Sequence, residues 1–60
     1  MTKKQASKLK QGDEVYWNDP EAGKLSRWFT LLVDAEINGD IITLIDEGGA
    51  TLECFAEELS

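Results

Sequence analysis

Apolar residues in this chain recur mostly at every second position, which is the period of a half-buried strand. The clearest run is 27–37. There Phe29, Leu31, Val33, Ala35 and Ile37 fall on one face, and Trp28, Thr30, Leu32, Asp34 and Glu36 on the other. A helical period would scatter the acids through the apolar stripe, so the run predicts one long strand from Arg27 to Ile37. A shorter strand precedes it, Glu14-Val15-Tyr16-Trp17, with Val15 and Trp17 on one face and Glu14 and Tyr16 on the other. Gln11-Gly12-Asp13 reads as the turn that opens it. Asn18 to Ser26, with Pro20 and Gly23, reads as a long loop between the two strands.

Asn38-Gly39 is the strongest local signal, because both residue types accept the positive φ of a type I′ hairpin turn. A turn centred on that pair sets Ile37 opposite Asp40, Ala35 opposite Ile42 and Val33 opposite Leu44. The next strand, Ile41 to Asp46, ends at Glu47-Gly48-Gly49. A three-residue loop there, with a left-handed glycine, faces Leu44 with Leu52 and Ile42 with Cys54. A two-residue Gly-Gly turn would instead aim Glu53 at the core. The last ten residues fit a strand from Ala50 to Phe55 followed by one helical turn, Ala56 to Leu59. Leu52, Phe55, Ala56 and Leu59 also lie at helical spacing, so a helix remains open there.

The order is strand, long loop, long strand, tight hairpin, strand, short hairpin, strand, terminal turn. That order resembles an SH3-like barrel. Gly12-Asp13-Glu14-Val15-Tyr16-Trp17 is similar to the first strand of Tudor- and KOW-type small barrels. The stretch from Gly12 to Pro20 with an acidic Glu57-Glu58-Leu59-Ser60 end resembles small bacterial proteins. The resemblance implies an all-β fold: a single SH3-like barrel of about five short antiparallel strands with a terminal helical turn. The barrel would span residues 9–60 behind a flexible, lysine-rich tail, 1–8. Families of this fold bind peptides, methylated side chains, RNA or ribosomal partners, so the fold alone does not choose a function. The chain departs from proline-binding SH3 domains in having one tyrosine, and from RNA-binding KOW modules in being acidic.

Sixty residues make one domain. A chain of that size buries about 60% of its unfolded surface, which leaves room for a groove or a face but not for a deep pocket. Cys54 is the only cysteine and there is no histidine. No internal disulfide and no cysteine–histidine zinc site follows from that set, and the expectation is no metal and no cofactor. Without histidine the commonest general base is missing, and the adjacent acid pairs Asp46-Glu47 and Glu57-Glu58 read as solvated turns, so no enzyme is expected. Cys54 sits at an inward position and reads as a small core residue. No run reaches the length of a membrane span and no secretory signal is visible, so a cytoplasmic location is expected.

Charge is distributed unevenly. The net charge is −6, yet Lys3, Lys4, Lys8 and Lys10 hold four of the six cations. From Gln11 onward two cations stand against twelve acids, a net of −10. Nucleic-acid affinity comes mainly from lysine and arginine on phosphates, so this body argues against a polyanionic ligand. The expected function is therefore a protein-interaction module that takes a basic partner or associates with itself. The alternative is a nucleic-acid- or ribosome-associated accessory domain using the lysine-rich start. Candidate binding residues are the outward-facing apolar set: Tyr16, Trp28, Leu32, Ile45 and Phe55. Exposed apolar surface marks interaction sites, and aromatics anchor them. The same residues have a plainer reading, as surface covered by the long loop or the N-terminal segment.

Overall fold

The computed structural model describes all residues, Met1–Ser60. Its elements are a helical turn α1 (Lys3–Ala6), strands β1 (Glu14–Trp17), β2 (Arg27–Thr30), β3 (Glu36–Asn38), β4 (Ile41–Ile45) and β5 (Thr51–Cys54), and a 3-10 turn at Ala56–Glu58. All pairing is antiparallel. The chain is an all-β domain, as the alternation predicts. It is not one closed barrel, however. The strands form a two-stranded sheet, β1-β2, and a three-stranded sheet, β3-β4-β5. Isolated bridges join Leu31 to Asp46 and Trp17 to Leu59.

The reason for two sheets lies in the run read as a single long strand. β2 stops at Thr30, and pairing resumes only at Glu36. From the Leu31–Asp46 bridge to the Glu36–Thr43 pair the chain takes five steps on one side and three on the other. Two residues are therefore in excess between Leu32 and Ala35, and the ladder breaks there. The Asp34 carboxylate accepts from the Gln11 N–H at 2.8 Å, and the Ala35 N–H donates to the Leu9 carbonyl at 3.1 Å. Both bonds draw the excess toward the N-terminal segment. Val33, expected inward against Leu44, is 44% exposed.

The same excess corrects the hairpin register. Ile37 pairs with Ile42 and Asn38 with Ile41, not Ile37 with Asp40 or Ala35 with Ile42. The two turn residues are Gly39 and Asp40. Gly39 alone takes a positive φ, 63°, which is the demand of a turn with glycine at its first central position. This register sets two isoleucines opposite each other and leaves Asp40 outside the ladder. The β4-β5 hairpin matches its expected form. Leu44 faces Leu52, Ile42 faces Cys54, and Gly49 is left-handed with φ 86°.

Eight side chains form the core: Ala6, Val15, Phe29, Leu31, Ile42, Leu44, Cys54 and Leu59. They come from both sheets, from Leu31 just past β2, from α1 and from the residue after the 3-10 turn. The stretch 1–8 holds α1, whose Thr2 hydroxyl accepts from the Gln5 N–H while the Gln5 side chain accepts from the Thr2 N–H. That reciprocal cap satisfies two otherwise orphaned donors and lets so short a helix form. The long loop 18–26 is also organised. Asp19 accepts from the N–H groups of Glu21 and Leu25, and its own N–H donates to Ser26 Oγ at 2.7 Å.

Candidate functional site

Antiparallel pairing sets Tyr16 opposite Trp28 across β1-β2. Alternation turns both away from the core that Val15 and Phe29 enter. Their rings meet edge to face, centroids 5.4 Å apart at 67°, an arrangement the ring quadrupoles favour. Trp28 is 61% exposed, and Tyr16 is half-buried beneath it. Leu32 donates its N–H to the Ile45 carbonyl at 2.9 Å, so these two also adjoin. Phe55, 46% exposed, lies elsewhere. It lines an open concavity of about 320 Å³ with Lys3, Asp40, Ala56 and Glu57. The structure thus brings Tyr16 to Trp28 and Leu32 to Ile45, while Phe55 faces separate ground.

A second concavity, about 190 Å³, lies against Trp28 and is lined by Arg27, Thr30, Asp46, Glu47 and Gly48. Arg27 shares the face of Phe29, and its guanidinium carbon sits 3.8 Å from the Phe29 ring centre. One guanidinium nitrogen donates to Asp46 Oδ2 at 2.7 Å. The other oxygen of Asp46 accepts from the Ala50 N–H at 2.9 Å. The Arg27 bond, followed by the Ala50 bond, holds the Asp46 carboxyl below its ordinary range. Glu47 is tied in by its backbone, donating to the Thr30 carbonyl at 3.1 Å.

The alternation singled out neither this arginine–carboxylate pair nor the approach of Thr30 to Glu47. A signal existed for the second. Continuing the hairpin register expected for the turn at Asn38 along the whole strand sets Leu31 opposite Asp46 and Thr30 opposite Glu47, as is observed at that end.

Elsewhere, Cys54 is buried at its expected inward position, and desolvation pushes its thiol up to about 11, with Glu58 adding to the effect. No three acidic or cysteine side chains converge as a metal cage requires. Glu58 is a structural bridge, accepting from the Trp17 indole N–H at 3.0 Å and the Phe55 N–H at 2.9 Å. No helix is long and apolar enough to cross a membrane. No family model, curated protein or solved structure matches the chain.

Proposed function

We propose that this chain is a non-enzymatic protein-interaction module, of SH3-like arrangement opened into two sheets, that binds a basic partner through the Tyr16–Trp28 face. The observation that carries the reading is a tryptophan 61% exposed on a strand and braced by a tyrosine, in a body with a net charge of −10 beyond residue 10. Large exposed aromatics at a rigid position are common anchors of protein contacts. A carboxylate-rich surface attracts cations and repels both a polyanion and a second copy of itself. The SH3-like comparison draws support from the element order. It also draws support from the hydrogen bonds that lay Ser60 beside Tyr16 and Leu32 beside Ile45.

The lysine-rich start lends less to a nucleic-acid reading than its composition suggests. Lys3 lies 3.2 Å from Asp40 and Lys10 3.9 Å from Asp34, so two of the four lysines already face acids of the body.

The test is a binding titration of the whole chain against a short basic peptide and against RNA and DNA. Peptide binding that weakens with salt, and that Trp28→Ala reduces without changing the melting temperature, is the expected result. Micromolar binding to RNA or DNA in a gel shift at physiological salt overturns the reading. An unfolded Trp28→Ala variant would show that the indole is core and not anchor.

A further inference from the structure

We infer that the concavity beside Trp28 is a subsite for a single arginine side chain of the partner, a proposal that rests on the basic-partner reading above. The argument starts from alternation. Residues 27 and 29 of β2 face inward, and 28 and 30 face outward. The Leu31–Asp46 bridge and the bond from the Glu47 N–H to the Thr30 carbonyl hold the next segment alongside. Two sets of side chains therefore sit one residue apart on the same pair of segments. In the inner set, an aromatic ring (Phe29) and a carboxylate (Asp46) are joined by the guanidinium of Arg27. In the outer set, Trp28 and Glu47 line one concavity with Thr30, and Trp28 and Glu47 are exposed.

The outer set has no cation of its own. The chain's ion pairs are Lys3–Asp40, Lys10–Asp34 and Arg27–Asp46. None involves Glu47, nor Glu14, which stands opposite Thr30 on the outward face. Arg27 and Asp46 line the same concavity, but their charges are directed to each other. A visiting cation therefore meets the exposed Trp28 side chain and one carboxylate, Glu47, that no cation of the chain pairs.

Arginine fits this ground better than lysine. The concavity is shallow and lined mostly by polar groups, so it strips little water from its occupant. An ammonium keeps its hydration there and gains little. A guanidinium is more weakly hydrated, stacks flat on an indole and donates in its own plane to a carboxylate. The protein's own Arg27 makes both contacts one residue away.

The experiment uses the whole chain and two fluorescent peptides of equal length and charge, one alternating glycine with arginine and the other glycine with lysine. At low salt the arginine peptide is expected to bind about two- to fivefold tighter. It should also shift the indole N–H resonance of Trp28. Trp28→Ala and Glu47→Gln should each bring the arginine peptide down to the lysine level. Glu36→Gln, which removes the same charge from β3, should keep the preference. Glu47 is an exposed surface residue, so its variant tests the subsite whether or not Trp28→Ala folds. Equal affinity for the two peptides, or a preference that survives Glu47→Gln, overturns the arginine subsite and leaves the basic-partner reading standing. Failure of both peptides to bind at low salt overturns both.

Discussion

Asp46 accepts from Arg27 on one carboxyl oxygen and from the Ala50 N–H on the other, at the point where the two sheets meet. Its pKa is depressed below the ordinary 3.8. A depressed acid adds stability that is complete above its unfolded value and is lost as pH falls through the folded one. Wild-type protein should therefore lose urea resistance as pH drops from 3.8 downward. Arg27→Gln should be weaker at neutral pH and show a flatter slope across that acid interval, read from urea midpoints at successive pH values. A slope unchanged by Arg27→Gln would mean the pair is not what depresses the acid. Little of this was legible in the sequence. An acid at the end of an apolar strand, beside Glu47 and two glycines, looks like a solvated turn. Its bridge partner is Leu31, and the arginine lies four residues back along the chain, so only the folded geometry reveals the pair. Tyr16 and Trp28 were legible as a co-facing pair, because alternation within two short strands needs no long-range information.

At the scale of elements, the loop 18–26 carries backbone strain at one place. Ala22 has φ 66°, a left-handed conformation in which its Cβ crowds the backbone. Ala22→Gly should relieve that crowding and raise stability by about 0.5–1 kcal/mol, after glycine's larger unfolded-state entropy is set against the gain. Chemical denaturation measures it, and a loss of stability would show that the loop does not hold this conformation in solution. The strands are legible in the sequence where their turn chemistry is unambiguous. The Glu47-Gly48-Gly49 loop and the whole β4-β5 register follow from keeping Glu53 out of the core. The preceding hairpin was harder. Asn38-Gly39 and Gly39-Asp40 are both sound two-residue turns, and the alternation is blind to a shift of two. Nothing between Leu32 and Ala35 signals a break, since no glycine or proline stands there. The break coincides with two bonds between distant segments, Gln11 to Asp34 and Ala35 to Leu9.

On the scale of the whole molecule, Leu59 links the pieces. It is buried at 1% exposure, belongs to the common core, and bridges Trp17. Truncating a buried leucine costs about 2–5 kcal/mol, against a total of about 3–9 kcal/mol expected for a domain of this size. Leu59→Ala should therefore leave a substantial unfolded population at room temperature, visible as a lost or strongly lowered thermal transition. A melting temperature within a few degrees of wild type would show that the two sheets hold together without it. The excess of two residues at 32–35 has one more consequence, for what length changes the fold tolerates. Because the surplus is even, the strand re-enters the ladder with its inner and outer sides unexchanged. Excising Val33 and Asp34 together should let β2 run straight into β3 as one uninterrupted ribbon, whereas removing either alone would leave a single surplus residue there, as a bulge. Paired length changes at this corner should therefore be tolerated better than single ones, which thermal melts of one- and two-residue deletions would check.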